Sequence, residues 1–314
     1  MLNRRLLRVK VMQSLYAHFQ SENADRFKSE KNLLLSINRV YELYLLYLVL
    51  PLELADIAEV QMEEARNKVL PTDEDMNPNR KFVDSFLIQN LRNNSQLKSK
   101  IEERKLSWSA EQDTLKKLWK KIKQSSLYLN FLSEEEHPQS HRKFIEKLYS
   151  TFIVDNEDLY SSFQEKSIYW DFEDSDFAIH MAMRYLGKIK SAENFRTIPE
   201  MYKDEEEDLR FVKNLFKRTL DNDEENSRLI DEKTKNWEVE RIAVLDVLFM
   251  KMAITEFLHF SSIPVKVTLN EYIEMAKLFS TPKSKVFING VLDKLLAEFK
   301  EQKKIVKMGR GLMQ

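Results

Sequence analysis

The sequence predicts an all-α protein, and three observations carry that expectation. Glycine and proline are scarce, at 4 and 7 among 314 residues, where average usage would give roughly 22 and 16. Apolar residues recur at helical spacing in most segments, as they do on a helix that buries one stripe. No segment shows convincing alternation of period two, and none has a hairpin turn. The 314 residues exceed the roughly 250 to 300 at which single cores stop growing, so two units, or one unit with an insertion, are expected. A composition of 43% hydrophobic and 32% charged residues supports a sizeable core and lies well away from the disordered regime.

The elements follow from the same pattern, taken in order. Residues 3–20 put Leu6, Leu7, Val11, Leu15 and Phe19 on one helical face, with Arg4, Arg5, Arg8 and Gln13 on the others. Positive charge in a first turn opposes the helix dipole at about 0.3–1 kcal/mol per exposed residue, so something other than helix stability maintains it. A long helix is predicted from Asn32 to about Lys68 through Ile37, Val40, Tyr41, Tyr44, Leu45 and Leu48, kinked or divided at Pro51. A loop runs from Pro71 to Asn79. Phe82, Val83, Phe86, Leu87 and Leu91 then open a helix. Ser109 and Gln112 resemble a capping box in front of Leu115, Leu118, Trp119 and Ile122. Between these, Lys116, Lys117, Lys120, Lys121 and Lys123 make a basic face, which reads as an ordinary solvated helix surface.

A second loop surrounds Pro138, and helices resume through Phe144, Leu148 and Phe152, then through Phe177, Met181, Met183 and Leu186. Trp108, Trp119 and Trp170 are expected to anchor packing. The acidic run Asp204 to Asp208 reads as a solvated first turn of a helix through Leu209, Val212, Leu215 and Phe216. Another helix is predicted from about Glu238 through Ile242, Leu245, Leu248, Phe249 and Met252, with a break at Pro264. Thr268 with Glu271 should cap a helix to Phe279. Thr281 and Pro282 form an N-cap and N1 pair for the last helix, which ends near Lys300.

Several chemistries are excluded by composition. The glycines, Gly187, Gly290, Gly309 and Gly311, cannot supply a dinucleotide-binding turn or a phosphate-binding P-loop. With 0 Cys there is no disulfide framework, thiolate zinc site or cysteine nucleophile, and a reducing cytoplasm fits. The longest apolar run, Leu43 to Leu52, is about half the ~20 residues of a membrane helix, and the basic start lacks the apolar stretch of a secretory signal, so no membrane association is expected. His137 and His141 have Pro138 between them and no intervening acid, unlike a zinc-binding H-E-x-x-H helix, and they read as loop and helix-start residues. Glu134 to Glu136 read as hydrated carboxylates, while His18, His180 and His259 stand apart. No catalytic, metal or cofactor site is expected. Because 50 Lys and Arg face 51 Asp and Glu, for a net charge of −1, any nucleic-acid surface must come from local clustering. Gly290 costs its helix about 1 kcal/mol relative to alanine, which a close approach by another backbone or a ligand would justify.

Three segments carry a resemblance: RRLLRVKVMQSLYAH near the start, WEVERIAVLDVLFMKMAITEF, and IPVKVTLNEYIEMAKLFSTPKSKVFINGVLDKL. Together they resemble the NusB family of bacterial transcription antitermination factors, and the third follows the family pattern almost throughout. The segment DLRFVKNLF is similar to the family's central helix. The resemblance implies a NusB-like helical bundle elaborated by additional helices, with residues 1–20 as its first helix, 201–314 as its remainder, and 21–200 as a helical insertion or extension without a family motif. Lys251 stands where relatives often carry arginine.

The family implies an RNA-binding, non-catalytic factor. It acts on a boxA-type single-stranded leader of ribosomal RNA with a NusE-type small-subunit ribosomal protein, within the RNA polymerase antitermination complex. Alternatives are an accessory protein of ribosomal RNA modification and a helical protein–protein adaptor. On this reading Arg4, Arg5 and Arg8 meet phosphate, and Gln13 and Tyr16 read or stack bases. Lys283 and Lys285 hold phosphate at a helix N-terminus, with Phe287 and Asn289 one turn on. Tyr16, Asp246 and Glu256 are the implied partner surface. The structural alternatives stay open from sequence alone: Tyr16 and Phe287 as core, Asn289 as a packing residue, and the two lysines as solvated.

Overall fold

The computed structural model describes residues 1–135, 137–235 and 243–312. The front of the second matching segment, residues 237–242, lies outside the described residues, as does Glu136. Among the described residues there are fifteen α-helices and no strand, so the fold is all-α. The chain divides into two compact units, residues 1–37 with 201–314, and residues 38–200.

The first unit contains α1 (Arg4–Phe19), the beginning of α2 (Arg26–Arg66), α11 (Glu205–Asp221), α12 (Asp223–Thr234), α13 (Val244–His259), α14 (Val265–Phe279) and α15 (Ser284–Glu301). Helix α13 is its centre, packed against α1, α11, α12, α14 and α15. Its sequence explains that place: Leu248, Phe249, Met250, Met252, Ala253, Ile254 and Phe257 are all buried, which makes it apolar all round rather than on one stripe. DLRFVKNLF forms α11 and packs on α1 and α13, so the central position belongs to α13. Helix α1 is capped by Asn3, whose side chain accepts from the Leu6 N–H at 2.8 Å.

Three local expectations differ in the structure. Helix α14 begins at Val265 after Pro264, and Thr268 lies inside it, donating its hydroxyl to Glu256 at 3.1 Å. Helix α15 begins at Ser284. The preceding turn is tied by the Ser284 hydroxyl to the Thr281 N–H at 3.2 Å and to the Thr281 and Ser280 hydroxyls at 2.8 and 3.0 Å. In the acidic run Asp204 is the N-cap of α11, whereas Asp208 is buried against Arg4.

The second unit is built on the rest of α2, with the short α3 (Asp73–Met76), α4 (Phe86–Asn93), α5 (Ser95–Glu103), α6 (Gln112–Lys123), α7 (Ser126–Ser133), α8 (Pro138–Phe152), α9 (Glu157–Lys166) and α10 (Phe172–Leu186). Helix α2 runs through Pro51 unbroken. Proline has no N–H for the carbonyl four residues back, and that carbonyl, Tyr47 O, accepts instead from the Tyr149 hydroxyl at 2.5 Å. The neighbouring Leu46 O accepts from Trp108 Nε1 at 3.1 Å. Trp170 Nε1 donates to Arg39 O at 2.7 Å. Trp119 stacks on Phe82 with centroids 5.4 Å apart. The three tryptophans therefore anchor packing, two of them by hydrogen bonds to α2. His137 caps α8, accepting from the Gln139 N–H at 3.1 Å, and His141 is buried against the Phe86 ring at 4.3 Å.

Candidate nucleic-acid interface

The basic start of α1 meets carboxylates from α11, α13 and α14. Arg4 pairs with Glu207 at 3.0 Å and Asp208 at 2.8 Å, and Arg5 grips Glu271 with two hydrogen bonds of 2.9 Å. Arg8 lies within the unit, 2% exposed, in a two-pronged pair with Glu256 at 2.6 and 2.8 Å, and Glu256 itself is 0% exposed. Glu256 also accepts from Tyr272 at 2.7 Å and Thr268 at 3.1 Å, so its carboxylate is satisfied by four donors. Burial works to lower the Arg8 pKa, but the Glu256 charge and hydrogen bonds outweigh it and raise it, which keeps the guanidinium charged. These pairings explain why α1 tolerates positive charge in its first turn: each arginine faces a carboxylate that offsets the dipole penalty.

Arg8 and Glu256 thus differ from the sequence expectation. One was expected at RNA and the other at a partner, and they bind each other in the interior. Asp246, also expected at a partner, is 4% exposed and accepts from the Ser280 hydroxyl at 2.5 Å, joining α13 to the turn before α15. Sequence reasoning missed Tyr272 and Asp208 as members of this network. Both lie in family-like segments, but nothing local marks a tyrosine or an aspartate as the partner of a group so distant in the chain.

Arg4 and Arg5 keep partly exposed guanidinium groups beside an open cleft that also includes Lys203, Glu207, Asp208 and Glu271. Of their pairs only Arg4–Glu207 is largely open to solvent, the kind worth about 0–1 kcal/mol, whereas Asp208 and Glu271 are mostly buried. Tyr16 is 41% exposed. Gln13 is half-buried and accepts from Lys10 Nζ at 3.1 Å. Lys283 and Lys285 are exposed and make no ion pair among the described residues. The backbone donors beside them are partly used: the Ser284 N–H reaches Thr281 O at 3.0 Å and the Val286 N–H reaches Lys283 O at 3.1 Å. Phe287 is 8% exposed and belongs to the core, while Asn289 donates to Asp293 at 2.8 Å.

Arg5 and Lys285 both add their charge to the field at one carboxylate of α14. Glu274 of α14 is held below the usual carboxylate range by its hydrogen bond to Lys277 first, with the charges of Arg5 and Lys285 adding to it. Gly290 is exposed, and an added Cβ would meet nothing within 4 Å, so no approach among the described residues accounts for it. Among the described residues no group of acidic and histidine side chains is placed to hold a metal ion, and no helix is long and apolar enough to cross a membrane.

The sequence of this region decides its relationship. Residues 176–297 match the pattern of the NusB family, a stretch that contains α11 to α14 and most of α15. Over these residues the chain is similar to the NusB family. It is 44% identical over 103 residues to the transcription antitermination protein NusB of Salinibacter ruber, a match covering 33% of this chain and 64% of that protein. The proteins of the same name from Chloroherpeton thalassium and Natranaerobius thermophilus are 38% and 35% identical over 103 and 85 residues, covering 49% and 61% of their lengths and 33% and 27% of this chain. The chain thus spans about half to just under two thirds of these NusB relatives. No solved structure matches it.

Proposed function

We propose that this chain is an RNA-binding transcription antitermination factor. It acts on ribosomal RNA transcription by holding a boxA-type single-stranded leader together with a NusE-type small-subunit ribosomal protein in the RNA polymerase antitermination complex. One observation carries the reading: residues 176–297, which match the NusB family, include the turn with Lys283 and Lys285 and the α14 carboxylate Glu271 that pairs with Arg5. In this proposal residues 1–20 and 201–314 form the NusB-like domain and residues 21–200 a helical insertion.

Roles within the site follow from exposure. Arg4, Arg5, Lys283 and Lys285 neutralise phosphate, with Gln13, Tyr16 and Asn289 offering polar or aromatic contacts to bases. Tyr16 also faces the protein partner. Arg8, Phe287, Asp246 and Glu256 act indirectly, by fixing α1, α13, α14 and α15 in place.

The experiment is a pull-down from bacterial lysate scored for small-subunit ribosomal protein and RNA, followed by titration with boxA-type and scrambled RNAs at two salt concentrations. Lys283→Asp should weaken binding to all sequences alike, because phosphate contacts position a strand without reading its bases. Arg4→Gln with Arg5→Gln should flatten the salt dependence by about 0.7 for each phosphate that is no longer neutralised. Retention of neither RNA nor a ribosomal protein would refute the proposal.

A further inference from the structure

The second unit carries a concentration of positive charge that its fold leaves unmatched. Several surface cations of that unit have partners: Arg80 pairs with Glu59 and Asp84, Arg92 with Asp56 and Glu59, Lys100 with Glu200, and Arg142 with Glu146, while scattered ones such as Lys98, Lys143 and Lys188 are exposed and make no ion pair with a described residue. On α6 five such side chains are gathered on one short helix. Lys116, Lys117, Lys120, Lys121 and Lys123 are all exposed, and none forms an ion pair with a described residue. Four of them, with Gln61 of α2 and Gln124, line an open groove. Lysines in the last turn are favoured by the helix dipole, which covers Lys120, Lys121 and Lys123. It does not cover Lys116 and Lys117, and like charges four residues apart, as in 116/120 and 117/121, work against the helix.

We infer that this groove is a second binding site for the sugar-phosphate backbone of single-stranded RNA. The inference rests on the RNA binding proposed above. Lys116, Lys120 and Lys123 follow one another along one helix face over about 10 Å at 1.5 Å per residue, the length of about three phosphates of a stacked strand at ~3.4 Å each. Lysine suits phosphate as a mobile point charge, and the two glutamine amides donate to phosphate oxygens and accept from sugar hydroxyls. The lining has no aromatic or aliphatic side chain, so the groove lacks the anchor that dominates peptide interfaces and the apolar face that enters lipid. Regularly spaced anionic charge without an apolar body is what remains, and it describes a nucleic-acid backbone.

The test uses the full chain and the variant Lys116→Gln/Lys120→Gln/Lys123→Gln, titrated by fluorescence anisotropy with oligouridine and with a mixed-sequence RNA, each of about 30 nucleotides, between about 50 and 200 mM salt. Removing three phosphate-neutralising charges should reduce the salt slope by about 2, so that the wild type loses roughly twenty-fold more affinity than the variant over that range, for both RNAs. Arginine at the same three positions should restore the slope. A parallel Arg4→Gln/Arg5→Gln/Lys283→Asp variant reports on the first site. If that variant weakens binding while the lysine variant matches the wild type, the groove is not an RNA site and the proposed function stands. If the wild type binds no RNA, both fall. Loss of binding to phosphatidylserine vesicles or polyglutamate, with RNA binding intact, would also overturn the inference by assigning the lysines to another anion.

Discussion

Glu256→Gln should unfold the first unit far more readily than its near-identical shape suggests. The carboxylate takes four hydrogen bonds, two from Arg8 and one each from Thr268 and Tyr272. An amide presents one oxygen to them and turns a donor against the rest. The Arg8 guanidinium then sits 2% exposed with Glu271, at 3.9 Å, as the one carboxylate left within 4 Å among the described residues, and a buried charge stripped of its partner costs about 3–5 kcal/mol. That is a large share of the ~5–15 kcal/mol by which a domain is stable. Urea unfolding followed by circular dichroism should show the transition of this unit moved to lower denaturant. The double variant Arg8→Met/Glu256→Leu should recover most of the loss, because replacing both charges by apolar groups is often close to neutral. A loss below about 1 kcal/mol for Glu256→Gln, or a double variant less stable than either single one, would refute the argument that these two groups exist to satisfy each other.

Gly290→Ala should stabilise the fold by about 0.5–1 kcal/mol, since the position is helical and open and alanine is the better helix former; thermal melting checks this, and weaker RNA or partner binding by the same variant would identify what approaches the glycine. Tyr149→Phe should cost about 1–3 kcal/mol by orphaning the Tyr47 carbonyl that Pro51 leaves without a backbone donor, visible as earlier urea unfolding of the second unit. Burial, helped by the nearby Lys81 charge, pushes His141 down to about 4. Its unfolded form titrates near 6.5, so between those values the unfolded chain binds the extra proton. The contribution is fully present above about pH 6.5 and falls away as pH drops towards 4, by up to about 3 kcal/mol. His141→Phe should remove that part of the slope in urea titrations at pH 4.5 and 7, and an unchanged slope would show that His141 protonates without cost in the fold.

Class and element content were legible in the sequence because they depend on near neighbours. Scarce glycine, helical apolar spacing and the all-round hydrophobicity of α13 lead directly to helices, and residues 237–297 hold the NusB motifs almost intact. What failed were inferences in which a local rule had a distant competitor. Thr268 has the spacing of a cap and serves Glu256; Pro51 has the chemistry of a helix break and is accommodated by a hydroxyl 98 positions away, from Tyr149. The basic start of α1 reads as a phosphate surface until Arg8 is found paired with Glu256 across a sequence separation of 248 residues. A sequence states which groups carry charge and which can donate or accept. Whether a charge meets water, a phosphate or an opposite charge is decided by what folding brings beside it, because desolvation makes an unpaired buried charge too costly to keep. By that criterion α1 was determined locally as an amphipathic basic helix, and only the tertiary structure separated its interior arginine from the two that remain partly open to solvent.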